Sequence, residues 1–175
     1  MLQCLYVLLL FTMSNRVGRS HPVVTKFFAQ LRQSHGSSMP IGAAGYCWGG
    51  KHVVMLAQKD SGVKVNGYAL PLVDAGFAGH PAWLEVPGDL EKLKRPTAFA
   101  LAEKDTSLPM EEAVKIKIVV EALPEGARGE ARIYENCGHG FCSRADYLHK
   151  ESEIAQKVDE AERQCVDWFD RHFRK

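Results

Sequence analysis

The chain has 175 residues and a formal net charge of +1, with 46% hydrophobic and 25% charged residues. This length suits one domain with a sizeable core, and the composition is ordinary for a globular protein. A nearly neutral chain without a basic stripe gives no reason to expect nucleic acid as a partner. Its five cysteines are an odd and scattered set, which indicates free thiols in a reducing compartment and predicts a cytoplasmic protein.

The first predicted segment is a leader over residues 1–20, which contains an apolar block at 5–11. No Lys or Arg precedes this block and no small-residue cleavage site follows it, so a secretory signal is disfavoured. The block is also shorter than the roughly 20 residues that a membrane span requires, and no membrane contact is expected. A buried strand and a disordered leader are the remaining alternatives.

Residues 21–175 are predicted to form one domain of alternating helices and strands. Apolar residues at helical spacing predict a helix over 22–33, with Pro22 in its first turn. A short apolar stretch over 41–46, an apolar helix over 51–58 and a strand over 63–70 follow. A firmer strand is predicted over 96–102, because an apolar run without polar alternation is typical of a parallel strand covered on both faces.

The rest of the chain continues the alternation. The pattern predicts a helix over 111–123, a strand over 131–134 and a long amphipathic helix over 151–173. Strands that alternate with helices favour a parallel sheet with helices packed on its faces. The sequence therefore predicts the α/β class.

Cys47 lies in a Gly-x-Cys-x-Gly motif with Gly45 and Gly49, between a predicted strand and a predicted helix. This is the pattern of a nucleophile elbow with cysteine in place of serine. Small residues on either side leave room where the backbone crowds the turn. The amides that begin the following helix favour a thiolate, and the Trp48 N–H is an expected oxyanion donor. The alternative is a structural cysteine beside a glycine-rich turn.

Two more candidates follow predicted strands. Asp105 comes after the strand over 96–102, and His139 comes after the strand over 131–134. Functional groups of parallel sheets gather beyond the carboxyl ends of the strands, and the order nucleophile, acid, histidine is that of this motif. We therefore expect Cys47 to be the nucleophile, His139 the base and Asp105 the group that orients the base. Taken singly, Asp105 could begin a turn and His139 could have no role.

A competing site would use Cys137, His139 and Cys142 as three soft metal ligands. No paired Cys-x-x-Cys motif elsewhere supplies the missing ligand, so a zinc site is not expected. A redox pair of the two cysteines is equally unexpected in a reducing compartment. The sequence predicts neither a metal nor a cofactor.

Three segments resemble the dienelactone hydrolase family of α/β-hydrolases: Gly-Tyr-Cys-Trp-Gly-Gly-Lys, Ala-Glu-Lys-Asp and Tyr-Glu-Asn-Cys-Gly-His-Gly-Phe. The resemblance runs from about Pro22 to the end of the chain. It implies that Cys47, Asp105 and His139 form a catalytic triad that hydrolyses a small lactone or ester through a thioester acyl-enzyme.

The resemblance implies two further assignments. Arg144 matches a family arginine that binds the substrate carboxylate, a role that suits its planar guanidinium. The pair His80-Pro81 also looks like a family feature, and we expect its role to be structural.

The family fold carries several strands before the elbow, whereas 46 residues precede Cys47 here. We therefore expect the first strands of the sheet to be missing, together with the loop that supplies the second oxyanion amide. Loss of one such donor costs on the order of 3 kcal/mol in transition-state stabilisation. The elbow strand would then be an exposed edge. A truncated, non-catalytic protein that pairs this edge with a partner is the alternative to an enzyme, and a homodimer is possible.

Overall fold

The computed structural model describes residues 11, 14–59, 62–143 and 152–174. The elements in chain order are helix α1 (Val17–His35), strand β1 (Gly42–Tyr46), helix α2 (Trp48–Ala57), strands β2 (Val63–Val65), β3 (Tyr68–Leu70), β4 (Ala75–Gly79) and β5 (Thr97–Lys104), helix α3 (Met110–Ala122), strand β6 (Glu130–Gly138) and helix α4 (Glu153–Phe173). The interpretations of residues 5–10 lie outside the described residues. Among the helices that are described, none is long and apolar enough to cross a membrane.

Four parallel strands form the main sheet in the order β1-β4-β5-β6, which confirms the predicted α/β class. The two central strands are the most buried. Every residue of β4 is buried, and so are the first six residues of β5. Both faces of these strands are covered by helices, which explains the unbroken apolar run that the sequence shows over β5. The short strand β4, made of small residues and Phe77, is missing from the sequence-based prediction.

Helices cover the sheet on both faces. On one face α1, α2 and α3 pack over a core that includes Val54, Leu56, Phe99, Leu101 and Ile116. On the other face α4 packs over a second core that includes Phe77, Tyr134, Cys137, Val158 and Trp168. Full burial of each large apolar side chain contributes about 1.5–3 kcal/mol. These two layers therefore hold the strand ends in a rigid frame.

The elbow strand β1 lies at one edge of the sheet in the described part of the chain, with β4 as its neighbour. Among the described residues no strand precedes β1, as the sequence leads us to expect. The opposite edge strand, β6, carries the charged residues Glu130, Arg132 and Glu135, whereas β1 carries none. Charged side chains are a common protection of exposed sheet edges.

The single strand predicted over 63–70 is wrong. β2 and β3 form an antiparallel hairpin in which Val63 lies opposite Leu70 and Val65 opposite Tyr68. Asn66 and Gly67 make the turn with φ values of 51° and 86°. An Asn-Gly pair is strongly preferred in two-residue hairpin turns that need positive φ at both positions, so the signal was present in the sequence.

Helix α1 begins at Val17, so the position predicted for Pro22 in the first helical turn is also wrong. Pro22 lies inside the helix and has no N–H to donate to the carbonyl of Gly18, a residue that is exposed. The boundary predicted between residues 20 and 21 falls within this helix, and the division of the chain there stays a prediction. The apolar face of α1 is only partly used, because Val23 and Phe27 are 70% and 59% exposed.

Candidate active site

Cys47 is the first residue after β1 and the N-cap of α2, with a φ of 52° and a ψ of −120°. A positive φ is rare in a non-glycine residue and marks a strained turn of the kind found at functional sites. A Cβ on Gly45 would clash with the carbonyl of Gly49, so the predicted need for glycine is correct at position 45. It is wrong at position 49, where a Cβ would have no atom within 4 Å. Gly50 is the second crowded glycine, since its Cβ would lie 2.7 Å from that of Pro81.

Asp105 and His139 meet Cys47 at the same end of the sheet. His139 Nε2 lies 3.1 Å from the Cys47 Sγ, and His139 Nδ1 lies 2.9 Å from each carboxylate oxygen of Asp105. The Asp105 side chain is fully buried, and its Oδ1 also accepts hydrogen bonds from the backbone N–H groups of Ser107 and Leu108. An ionised carboxylate only accepts hydrogen bonds, so Nδ1 carries the proton and the lone pair of Nε2 faces the sulfur.

Parallel topology explains why residues so distant in sequence meet. Each of the four strands of the main sheet is followed directly by one of these side chains: Cys47 after β1, His80 after β4, Asp105 after β5 and His139 after β6. Because parallel strands all end at the same edge of a sheet, the residues that follow them converge there. The sequence predicts three of these positions. The pair His80-Pro81 is expected from the resemblance to have a structural role, but its place at a strand end is not predicted, because β4 is absent from the prediction.

Trp48 is the first residue of α2, and its side chain is held in place by three contacts. Its indole Nε1 donates a hydrogen bond of 3.1 Å to the carbonyl of Asn15. Its ring meets the rings of His52 and Phe11 edge-on, with centroids 4.4 Å and 5.7 Å away. These contacts fix the residue whose backbone N–H is the expected oxyanion donor.

Of the other described thiols, Cys137 lies in the protein core, and Cys142 and Cys165 are partly buried against it. Burial raises the pKa of Cys137 to about 11, that of Cys142 to about 12 and that of Cys165 to about 11. A nucleophile must be a thiolate, which burial disfavours at all three positions. Among the described residues no group of three or more His, Cys, Asp or Glu side chains is arranged to hold a metal ion. The competing site of Cys137, His139 and Cys142 is therefore not formed.

A buried ion pair connects helix α2 to the segment that follows β4, and the sequence analysis does not predict it. Lys51 Nζ lies 2.6 Å from Asp89 Oδ2, and both residues are less than 10% exposed. The same carboxylate oxygen accepts a hydrogen bond of 2.7 Å from the backbone N–H of Glu85. Removal of one partner of such a pair typically costs about 3–5 kcal/mol. No sequence signal joins the two residues, because only the fold brings these distant positions together.

Arg144, the predicted substrate-binding residue, lies outside the described residues. His80 and Pro81 are described, and they make contacts with the elbow that the sequence did not anticipate. His80 is fully buried, and its ring centroid lies 5.2 Å from that of His139.

Comparison with known protein families gives a match over nearly the whole chain. Residues 11–173 match the model of the dienelactone hydrolase family. A hydrolase named tropI from Talaromyces stipitatus is 30% identical over 156 residues, which cover 88% of this chain and 54% of that protein. The human carboxymethylenebutenolidase homolog is 28% identical over 167 residues, which cover 91% of this chain and 58% of that protein. The chain thus spans somewhat more than half the length of the curated relatives it matches.

Solved structures agree on the fold. A putative dienelactone hydrolase from Klebsiella pneumoniae superposes with a TM-score of 0.62 at 18% identity, covering 87% of this chain and 60% of that one. A carboxylesterase from Bacillus cereus superposes with a TM-score of 0.51 at 14% identity, covering 87% and 60%. At these identities the likeness establishes the α/β-hydrolase fold and nothing finer.

Proposed function

The chain belongs to the dienelactone hydrolase family, and from this premise we propose that it hydrolyses a small lactone or carboxylic ester through a thioester acyl-enzyme. Cys47 is the nucleophile, His139 the general base and Asp105 the residue that orients and stabilises the imidazole. One observation carries the proposal: the unbroken contact from the Cys47 sulfur through both ring nitrogens of His139 to the buried carboxylate of Asp105. Covalent acyl transfer of this kind uses a nucleophile, a base and an orienting acid that lie within hydrogen-bonding distance of one another.

In the acylation step His139 Nε2 takes the thiol proton of Cys47, and the sulfur attacks the carbonyl carbon of the substrate. The carbonyl oxygen becomes an oxyanion, to which the N–H of Trp48 donates a hydrogen bond at the start of α2. Collapse of this intermediate breaks the carbon–oxygen bond of the ester. The leaving oxygen takes the proton from the imidazolium of His139 and becomes a hydroxyl, which stays attached to the acyl chain when the substrate is a lactone.

In the deacylation step a water molecule gives a proton to His139 Nε2 and its oxygen attacks the thioester carbonyl carbon. The carbon–sulfur bond breaks, the carboxylic acid leaves and the sulfur of Cys47 recovers its proton from the imidazolium. Asp105 stays ionised in both steps. It accepts a hydrogen bond from the Nδ1–H, and its negative charge stabilises the positive charge that forms on the ring. No external oxidant, reductant or cofactor enters this balance.

Three assignments of this proposal have different origins: the role of Arg144 follows the family resemblance, the compartment follows the scattered cysteines, and the dimer follows the exposed edge of β1. Arg144 binds a carboxylate on the substrate, the protein acts in the cytoplasm, and a homodimer is its possible assembly. The non-catalytic alternative is not favoured, because the relatives that match this chain include proteins named as hydrolases.

The test is hydrolysis of 4-nitrophenyl acetate by the parent and by Cys47→Ala. We expect the variant to lose all hydrolysis above the uncatalysed rate, because an alanine cannot form the acyl-enzyme. Cys165→Ala is the matched control and should keep the parent's rate, since that thiol is partly buried and its pKa is raised to about 11. Equal turnover by Cys47→Ala and the parent would refute the role of Cys47.

A further inference from the structure

The His80 turn, residues 79–82, holds the main chain of the nucleophile. The N–H of Cys47 donates a hydrogen bond of 3.0 Å to the carbonyl of Gly79. The N–H of Ala82 donates another of 3.0 Å to the carbonyl of Cys47. Both backbone polar groups of Cys47 are therefore bound to the two ends of one turn.

The same turn is pressed onto the elbow helix and tied to the strand that precedes Asp105. A Cβ at Gly50 would lie 2.7 Å from that of Pro81, so the lack of a side chain at position 50 lets the proline approach α2 closely. The N–H of His80 donates a hydrogen bond of 2.7 Å to the carbonyl of Ala100 in β5. The position of the His80 turn is thus fixed by β5 on one side and by the elbow on the other.

The ring of His80 lies directly against the ring of His139. The two planes are 83° apart with centroids 5.2 Å apart, an edge-to-face geometry that is favourable for aromatic rings. The rings of Tyr46 and Phe141 flank His80 at 5.9 Å and 6.0 Å. Its side chain is 0% exposed, so it cannot be a residue that binds substrate directly.

His80 also has an unusual backbone. Its φ is 35°, in the left-handed region that is uncommon for residues other than glycine. Glycine would make this turn without strain. A glycine, however, has no ring to place against His139. The presence of a buried histidine at this strained position therefore indicates that the contact between the two rings matters.

We infer that His80 is a positioning residue for the proposed reaction: its turn fixes Cys47 and its ring fixes the plane of His139, so together they set the distance between the sulfur and Nε2. This role rests on the proposed function, because it concerns the same sulfur and the same base. Without the ring of His80 the imidazole of His139 can tilt away from Cys47 while its bond to Asp105 persists. A misplacement of about 1 Å is enough to cost about 100-fold in rate.

The test compares His80→Gly, which removes the ring and relieves the positive φ, with His80→Phe, which keeps an aromatic ring. Asn66→Gly is the matched control, because Asn66 also has a positive φ, 51°, and lies in the β2–β3 turn. We expect His80→Gly to lose about 100-fold in kcat with little change in KM, His80→Phe to recover most of that loss, and Asn66→Gly to match the parent. If His80→Gly does not fold, His80→Leu replaces it as a variant of similar size without a ring.

The second readout is alkylation of Cys47 by iodoacetamide as a function of pH, which needs no substrate. A displaced imidazole should move the midpoint of this profile upward in His80→Gly and leave it near the parent's in His80→Phe. If the role of His80 were purely structural, His80→Gly would lower the thermal midpoint of unfolding. It would then leave the pH profile of alkylation unchanged and would not lower kcat selectively at constant KM. The inference fails if His80→Gly keeps the parent's kcat and profile, or if His80→Phe, correctly folded, is as impaired as His80→Gly. If Cys47→Ala hydrolyses the ester like the parent, the proposed function fails and the role of His80 fails with it.

Discussion

Replacement of Asp105 by Asn removes the negative charge of the side chain and keeps its size and shape. The backbone N–H groups of Ser107 and Leu108 both donate to Oδ1, so the amide oxygen of the variant takes that place. Its NH2 group then stands where Oδ2 was, 2.9 Å from His139 Nδ1. The retained oxygen also lies 2.9 Å from Nδ1, but it already accepts hydrogen bonds from two backbone N–H groups. The new NH2 group can donate to Nδ1 only when the ring moves its proton to Nε2, and we expect this tautomer in the variant. The nitrogen that faces the Cys47 sulfur then has no lone pair with which to take the thiol proton.

The lost charge also sets the size of the effect. An imidazolium and a carboxylate whose charge centres are about 4 Å apart attract each other by about 4 kcal/mol at an effective dielectric constant of about 20. This value suits the pair, since the Asp105 side chain is fully buried and that of His139 is 15% exposed. A loss of about 4 kcal/mol from the transition state lowers kcat about 1000-fold.

The assay is the steady-state hydrolysis of 4-nitrophenyl acetate by the parent and Asp105→Asn, with urea unfolding of both proteins. The free energy of unfolding should fall by only about 1 kcal/mol, since the amide keeps both backbone hydrogen bonds. Asp170→Asn, at a partly exposed carboxylate on α4, is the control and should retain the parent's kcat. A folded Asp105→Asn protein with kcat within about tenfold of the parent's would contradict the reasoning, since that ratio corresponds to only about 1.4 kcal/mol.

Two further predictions concern the packing around the elbow. Gly50→Ala should destabilise the protein by about 1–3 kcal/mol in urea unfolding, because its Cβ would lie 2.7 Å from that of Pro81. Gly49→Ala has no neighbour within 4 Å and should be neutral or stabilising by up to about 1 kcal/mol. Equal effects of the two substitutions would contradict the contact between Gly50 and Pro81. The pKa of His21 is lowered to about 4, mainly by burial and to a smaller extent by His52 and Lys59. The unfolded chain therefore binds a proton at this residue near pH 6.5, whereas the folded protein binds it only near pH 4. The free energy of unfolding should therefore decrease by about 3 kcal/mol as the pH falls from 6.5 to 4, and a His21→Phe variant should show a shallower decrease in the same titration.

Several local features could be predicted because they depend on neighbours in sequence. The turn around Cys47 and its close-packed Gly45 follow from the motif, and Asp105 and His139 follow from their places after apolar strands. The hairpin at Asn66 could also have been predicted from its turn residues. The long helix α4 agrees with its apolar stripe, although buried Gln164 interrupts that stripe and donates to Glu130.

Other features could not be predicted because they depend on contacts between distant residues. The crowding at Gly50 comes from Pro81, and the burial of Lys51 is possible only because Asp89 meets it. Whether a helical face is buried depends on what lies opposite, so Val23 and Phe27 look like core residues in the sequence and are exposed in the fold.

The amino-acid sequence by itself determined the α/β class, the order of the reactive residues and the chemistry that each can perform, since these depend on residue type and local periodicity. Only the tertiary structure decided that β4 runs between β1 and β5 and brings His80 against His139. The physical reason is that the order of strands in a sheet is set by packing between distant segments, which leaves no periodic trace in any one of them.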